Sequence, residues 1–470
     1  MGTISSALSL ISQALDADQA ALNVVSNNVA NANTPGYTEE VPTWSQNQPI
    51  QINGILNGAG VTETGAASQR DHVLQERLNQ QQQLASASGS RLSALNSVQA
   101  LFTPASGSAS STAGDIGSDL TGFFNSFSSL EANPSNGSLR EQVLSTASTL
   151  AGDVSNAAAS LNAQRSAVDH EAASVVSQVN ALTASLAQVN QQIQSTSPNA
   201  DAGTLEDQRQ QDLSQLSQLI GINQISTENN GLAITTTAGQ LLVANGSSYQ
   251  LTAGTVAGVT HFFVGTADVT ADLSTGGGSL GGDLTARDQD IPNVLASLDQ
   301  LAYSVSTQVN ALNSSGTNPA GLSGAAAAIF SEPTAVAGSA ASMSVVMTDP
   351  NGISAAALGQ GTGDNSNAAA MASLSGSPIV NGQSPSDFYS IFVTTLGSTV
   401  SGVQTENTAQ NASVTQLQTQ NDALSSVNLN DEASSLTTLE RSYEAAAKVF
   451  TILDSILSSA LNIGVQTAVS

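Results

Sequence analysis

Apolar residues recur in steps of four and three at both ends of the chain, with polar residues between them. This spacing puts the apolar positions on one side of an α-helix, in the pattern of a coiled-coil seam. We therefore expect the two ends to form helices that pair as a coiled coil. The seam positions are Ile4, Leu8, Ile11, Leu15, Leu22, Val25 and Val29 at the amino end, and Leu436, Leu439, Tyr443, Ala446, Phe450, Leu453 and Leu457 at the carboxyl end.

A second apolar stripe, Val449, Ile452, Ile456 and Ile463, lies beside the carboxyl-terminal seam. Two interpretations fit: a face for a neighbouring molecule, or an ordinary core helix packed on several sides. Burial of each large seam residue contributes roughly 1.5 to 3 kcal/mol, whereas ordering each residue of the helix costs roughly 1 to 2 kcal/mol of backbone entropy. We expect the ends to be largely unfolded in the isolated chain and ordered in an assembly.

The interior alternates between helical and strand periodicity. Helical spacing predicts helices over residues 71–101, 139–193, 205–220 and 291–312, and a polar helix through Val400, Val414 and Leu417. From Gly221 the period changes to two, with turn signals at Asn229-Asn230-Gly231 and Asn245-Gly246, which predicts a small β domain. One further strand is expected at Ser342 to Met347.

These elements predict a mainly α fold with an inserted small β domain, arranged as an elongated multi-domain rod. The expected domains are a terminal coiled-coil domain of residues 1–45 and 425–470, a helical rod domain of 46–220, 280–320 and 385–424, and a β-rich outer domain of 221–279 and 321–384.

The amino-terminal helix is expected to end at Thr34, because Pro35 follows it and the residue before a proline avoids the helical region. Pro35 and Gly36 suit the two central positions of a type II turn, which would redirect the chain at Tyr37.

Three asparagines, Asn27, Asn28 and Asn31, precede this turn. We hypothesise that their amides fix register against neighbouring helices, as a buried Asn does in coiled coils. The alternative is that they only cap and solvate the helix end.

Composition narrows the function classes. The 470 residues carry a net charge of −27 and no cysteine, which disfavours nucleic acid and anionic membrane surfaces as partners and excludes disulfides and thiol chemistry. No stretch approaches the roughly 18 apolar residues of a membrane span. No basic residue precedes Arg70, so a cleaved secretory signal is not expected.

Metal and nucleotide chemistry have little support in the sequence. His72, His170 and His261 are far apart and lack the spacing of a zinc motif. A P-loop requires a lysine after its glycines, and the single lysine, Lys448, lies in the last predicted helix. We expect no metal and no cofactor.

Two other features could suggest a site. The glycines from Gly276 to Gly282 lack a dinucleotide-binding arrangement, and we interpret them as a flexible joint. Glu39-Glu40 and Asp431-Glu432 are adjacent carboxylates of the kind that more often cap or solvate a helix start than catalyse hydrolysis. We therefore expect no enzymatic activity.

Motifs at both ends of the chain carry a family resemblance. The stretch SNNVANANTPGYT resembles the amino-terminal motif of the bacterial flagellar axial proteins, which comprise rod, hook and hook-associated proteins. VNLNDEASSLTTLERSYEAAAKVFTILDSILSSAL resembles their carboxyl-terminal motif. Interior stretches, including LEDQRQQDLSQLSQLIGI and GGSLGGDLTARDQDIPNVLASLDQLAYSVSTQVNALNSSG, are similar to the hook-associated proteins of the hook-filament junction.

The resemblance implies a structural subunit exported through the flagellar type III pathway and assembled outside the cell at the distal end of the hook. It implies a homo-oligomeric ring that contacts the hook protein and other hook-associated proteins, and an export chaperone on the carboxyl-terminal region. A hook or rod subunit remains an alternative within this class. An adhesin or effector whose β module binds a receptor is an alternative from another class.

Overall fold

The computed structural model describes residues 2–52, 55–102, 115–197 and 201–467. The helices are α1 (Gly2–Asn31), α2 (His72–Ala100), α3 (Ile116–Ala132), α4 (Gly137–Thr196), α5 (Thr204–Leu219), α6 (Thr270–Gly276), α7 (Gly278–Thr285), α8 (Ile291–Ser315), α9 (Ser339–Ser342), α10 (Ser366–Ser373), α11 (Pro385–Ser425) and α12 (Leu429–Thr467). The strands are β1 (Glu40–Gln46), β2 (Ile50–Ile52), β3 (Ile55–Asn57), β4 (Val61–Ser68), β5 (Ile222–Ser226), β6 (Leu232–Thr236), β7 (Leu241–Ala244), β8 (Ser247–Ser248), β9 (Leu251–Val256), β10 (Val259–Val264) and β11 (Ala267–Asp268). The expected mainly helical fold with an inserted β unit is confirmed.

The 60-residue helix α4 connects two hydrophobic cores. At 1.5 Å per residue it is roughly 90 Å long. Its first half packs with α2, α3, α8 and α11 around a phenylalanine cluster, in which Phe123 contacts Phe124, Phe127 and Phe330. Its second half packs with α5, α7 and the β unit. A single helix therefore belongs to both cores.

The β unit comprises a four-stranded sheet in the order β5-β6-β7-β8 and a three-stranded sheet in the order β11-β10-β9. All its paired strands are antiparallel. The expected turn at Asn245-Gly246 is present, and both residues have positive φ, as a tight hairpin requires. Side-chain amides of α4 bind the strands: Asn190 bonds Leu232, and Asn180 bonds Leu251.

Residues 321–384 do not form the second half of a β-rich domain, so that expectation was wrong. The described residues there contain short helices and isolated bridges, and the expected strand at Ser342 to Met347 is reduced to one bridge at Val345. The segment packs on the first core, not on the β unit. The side-chain amide of Asn310 bonds Ile329 and Phe330, and that of Asn313 bonds Ala327, Gly352 and Ser354, so amides supply bonds that a strand ladder would otherwise provide.

The glycines from Gly276 to Gly282 are not a flexible joint. Most of them belong to α6 and α7, and they allow backbones to touch. A Cβ on Gly282 would stand 2.1 Å from the carbonyl oxygen of Ala87 in α2, and one on Gly278 would stand 2.3 Å from the backbone nitrogen of Ile220. Close packing of α7 against α2 and the end of α5 therefore requires glycine at these positions.

Strands β1 and β4 form an antiparallel hairpin arm directly after α1, with β2 and β3 paired at its tip. The structure thus differs from the expected domain division, in which the helical rod domain begins at residue 46, within β1. The arm packs against α1 through β1 and β4, so it forms one unit with the terminal helices.

Candidate assembly interface

The terminal helices α1 and α12 pack along each other. Asn28, near the end of α1, bonds Glu432, near the start of α12, so the two helices run antiparallel. Most of the seam residues expected from the sequence are half-buried in this pairing: Ile4, Leu8, Ile11, Leu15, Leu22, Leu436, Leu439, Ala446, Phe450, Leu453 and Leu457. The interface leaves much apolar surface uncovered, because Glu432 is the only buried residue among the described side chains of α12.

The buried line of α1 departs from the expected seam near its end. Val25 is buried as expected, but Val29 is 44% exposed, and Ala17, Ala21 and Val24 are buried instead. Small residues allow the hairpin arm and α12 to approach α1 closely at this end. On α12, Tyr443 and Val449 are also exposed, at 37% and 45%.

The expected turn after α1 is present. Gly36 has φ +81°, as the third position of a type II turn requires, and the backbone N–H of Tyr37 donates to the carbonyl of Thr34 at 3.2 Å. Pro35 and Gly36 are exposed. The turn brings the ring of Tyr37 back to the end of α1.

Asn28 is the centre of a buried polar clamp. Its side-chain amide donates to the carbonyl of Glu40 at 2.8 Å and to the Glu432 carboxylate at 2.7 Å. Its Oδ1 accepts from the Glu40 N–H at 3.0 Å and from the Tyr37 hydroxyl at 2.9 Å. One side chain therefore joins α1, the turn, β1 and α12. Asn27 is exposed, and Asn31 bonds only within its own helix end.

The clamp is acidic and partly dehydrated. Burial raises the pKa of Glu432, although its bond from Asn28 works in the opposite direction. Burial, assisted by Asp201 and Asp207, also raises the pKa of Glu40. Burial and the nearby carboxylates raise the pKa of Tyr37 to about 12. The Tyr37 hydroxyl therefore keeps its proton and remains a donor to Asn28.

A second set of bonds ties the base of the hairpin arm to α5 and to Asp201 just before it. Thr38 donates from its hydroxyl to Asp207 at 2.7 Å, and Ser68 donates from its hydroxyl to Asp201 at 2.8 Å. The guanidinium of Arg70 lies 3.1 Å from Asp207 and 3.6 Å from Glu206. The arm therefore connects the terminal helices to the second hydrophobic core, which the second half of α4 forms with α5, α7 and the β unit.

Opposing influences set the charge of these carboxyl groups. Burial raises the pKa of Asp207, against the bond from Thr38 and the charge of Arg70. The pKa of Asp201 lies below its usual range. Burial acts to raise this pKa, but hydrogen bonds from Gly203 and Ser68 lower it by more.

Sequence reasoning missed Thr38, Ser68, Arg70, Asp201 and Asp207. Their partners are distant along the chain, so the periodicity of the sequence does not predict these contacts. One signal was available, because the stretch LEDQRQQ carried part of the family resemblance and holds Glu206 and Asp207.

Two of the residues considered for chemistry have structural partners. His261 bonds Asp268 at 2.7 Å, and Glu432 belongs to the clamp. Among the described residues, no three His, Cys, Asp or Glu side chains form a group that could hold a metal ion. Within the same residues, no helix is both long and apolar enough to cross a membrane.

Comparisons with known proteins agree with this architecture. Residues 106–330 match the family model for the helical domain of the flagellar hook-associated protein FlgK. Residues 8–38 match the flagella basal body rod protein model, and residues 420–463 match the carboxyl-terminal model of the flagellar basal body rod proteins FlgEFG. The two short matches fall on α1 with its turn and on the end of α11 with α12.

Individual relatives point the same way. Flagellar hook-associated protein 1 of Salmonella typhimurium is 30% identical over 324 residues, which cover 66% of this chain and 57% of that protein. The chain thus spans little more than half of that relative. The Bacillus subtilis protein of the same name is 26% identical, with 96% of each chain covered. The structure of the flagellar hook junction protein FlgK from Burkholderia pseudomallei superposes with a TM-score of 0.62 at 18% identity, covering 73% of this chain and 99% of that one, and shows a shared fold.

A helical body whose amino and carboxyl ends pair beside it, with flagellar rod-protein matches at both ends, defines an axial protein of the bacterial flagellum. Within that class, the chain belongs to the family of flagellar hook-associated protein 1, the FlgK family.

Proposed function

We propose that this chain is a non-enzymatic structural subunit of the junction between hook and filament. The observation that carries the proposal is the antiparallel pair of α1 and α12, whose sequences match axial-protein models, joined by the Asn28 clamp to a body that matches the hook-associated helical domain. In this role the terminal pair packs toward the flagellar axis, and the β unit lies farther out.

The proposed partners are further copies of the chain in a ring, the hook protein on one side and other hook-associated proteins on the other. Export through the flagellar type III pathway places the chain outside the cell. The exposed apolar side chains of α12, among them Val449, Ile452 and Ile456, support an export chaperone that covers the carboxyl-terminal region before assembly.

Deletion of the gene, followed by electron microscopy of the cells and analysis of the medium, tests the proposal. We expect hooks to be present, filaments to be absent from the cells and flagellin to accumulate in the medium, with the full-length chain restoring attachment. Loss of the hook would instead indicate a rod or hook subunit. Intact, attached filaments would contradict any junction role and favour a secreted adhesin or effector.

A further inference from the structure

A groove of about 420 Å³ opens where α1, β1 and α12 meet. We call it the terminal groove. Its apolar lining includes Val41 and Trp44 of β1, which are 36% and 47% exposed, and Leu439 of α12. Trp44 is the single tryptophan of the chain, and half of its surface faces solvent. A large aromatic side chain beside an open groove is typical of a binding surface.

The rim of the terminal groove is acidic. Glu39, Glu40 and Glu432 line it. Among the described residues, the Glu39 carboxylate has no hydrogen bond or ion pair, and Arg70 is the only cation that acts on Glu40. An occupant that brings positive charge together with apolar side chains would complement this surface.

One surface of the same chain has that chemistry. Arg441, Lys448 and Ile452 follow the spacing of seven and four that places residues on one side of a helix. Each of the three lies two positions after a seam residue of α12, on the side that pairs with α1. Two positions correspond to a rotation of about 200° around α12. This side, with Val449 and Ile456 next to it, is the free face of α12.

The free face has no partner within the described part of the chain. Val449, Ile452 and Ile456 are 45%, 58% and 47% exposed, and Arg441 and Lys448 are exposed and form no ion pair there. Glu440 and Glu444 lie at one flank. Two of the nine basic residues of a chain with net charge −27 therefore project from one apolar helix face.

We propose that the free face of α12 in one copy docks into the terminal groove of the next copy. The groove is continuous with this face along α12, because Thr438 of the groove precedes Ala445, Val449 and Ile456 on the same side. The acidic rim meets Arg441 and Lys448, and Trp44 packs against Ile452. This inference rests on the proposed function and names the surfaces through which copies meet.

The contact is heterologous, because groove and free face are different surfaces of the same chain. Each copy offers one of each, so copies add head to tail and close into a ring when the rotation permits. A symmetric pair of copies would instead use the same surface twice and stop at a dimer. Covalent trapping distinguishes these two arrangements.

The chain has no cysteine, so Trp44→Cys and Ile452→Cys introduce the only thiols. Within one chain these two thiols cannot bridge. Trp44 lines the terminal groove together with Leu439, whereas Ile452 lies 13 residues beyond Leu439, roughly 20 Å along α12. A disulfide requires Cα atoms closer than about 7 Å. Flagella purified from cells of the source bacterium that produce the double variant are oxidised and analysed by non-reducing gel electrophoresis. We expect a ladder of dimers, trimers and larger species.

The matched control combines Trp44→Cys with Ser458→Cys, an exposed position on a different side of α12. We expect only monomer from it. Equal crosslinking of both pairs, monomer alone from the Ile452 pair, or a product that stops at dimer would overturn the inference. If Trp44→Cys prevents incorporation, Val41→Cys replaces it and is judged by the same outcomes.

Charge reversal gives an independent readout. Arg441→Glu with Lys448→Glu, introduced into the crosslinking variant, is expected to remove every band above monomer, whereas Arg77→Glu on the exposed side of α2 leaves the ladder intact. Filament attachment is recorded in parallel. In the crosslinking variant that keeps Arg441 and Lys448, attached filaments without a ladder would refute this contact and leave the junction role standing. Attached filaments in a strain that lacks the chain would refute the junction role itself.

Discussion

At the scale of single residues, Asn28 contributes more than its neighbours in the asparagine run. It is buried and uses both ends of its amide, whereas Asn27 is exposed and Asn31 bonds locally. Of the three asparagines in the register hypothesis, only Asn28 forms buried hydrogen bonds to other elements, and these bonds lie within one chain. Register against neighbouring copies remains a prediction.

We predict that Asn28→Ala loosens α1 from α12. The substitution leaves the Glu40 N–H and the Glu432 carboxylate without their partner, and an unsatisfied buried polar group costs about 1–3 kcal/mol. Hydrogen exchange read by mass spectrometry is expected to show faster exchange in α1 and the first turns of α12, with α4 unchanged. Asn27→Ala is the control, and equal effects of the two substitutions would contradict the clamp.

At the scale of elements, short side chains decide which helices touch. Helix α7 lies against α2 and the end of α5 because Gly278 and Gly282 have no Cβ. The lack of Cβ atoms in this glycine-rich segment is also the reason that the sequence predicted a flexible joint there. A glycine run therefore has opposite meanings according to whether another backbone lies against it.

We predict that Gly282→Ala destabilises the chain by about 1–3 kcal/mol, as overpacked cores do. Its Cβ would meet the Ala87 carbonyl and the Arg91 backbone nitrogen, and backbone atoms cannot rotate aside. The control is Gly152→Ala in α4, where no atom lies within 4 Å of the added Cβ. There we expect a gain of about 0.5–1 kcal/mol from helix propensity. Urea denaturation followed by circular dichroism measures both, and a neutral Gly282→Ala would disprove the close-packing account.

At the scale of the whole molecule, acidic groups are numerous and several are held away from water. Burial and the neighbouring Glu171 raise the pKa of Asp283 to about 7, against a bond from Ser90. Burial and the adjacent carboxyl of Asp153 raise the pKa of Asp119 to about 7. The folded chain therefore keeps protons that the unfolded chain releases near pH 4.

We predict that the free energy of unfolding decreases as the pH rises from about 4 to about 7. The stabilisation from Asp119 and Asp283 is complete below the ordinary carboxyl range and is lost as the pH passes about 7. Asp283→Asn removes one of these groups, so this variant is expected to gain stability over the natural chain at pH 8 and little at pH 4.5. Urea midpoints at constant ionic strength measure this.

The control for the pH experiment is Glu141→Gln, at an exposed position of α4. It is expected to shift the midpoint equally at both pH values. An Asp283→Asn variant whose difference from the natural chain is the same at pH 4.5 and pH 8 would contradict the argument.

The sequence alone determined the features that depend on neighbours within a turn or two. Helical spacing located α2, α4, α5 and α8 to within a few residues, and Pro35-Gly36 located the turn, because backbone preference and amphipathic spacing are local properties. The family resemblance and the structural role followed from motifs of the same local kind.

Only the tertiary structure decided the contacts between distant segments. Asn28 and Glu432 are 404 residues apart, and the bonds from Thr38 to Asp207 and from Ser68 to Asp201 cross more than a hundred residues. The hairpin arm and the packing of residues 321–384 on the first core are of the same kind. Such pairings arise when the chain buries its apolar faces together and must satisfy the polar groups caught between them, and no local pattern encodes which partners then meet.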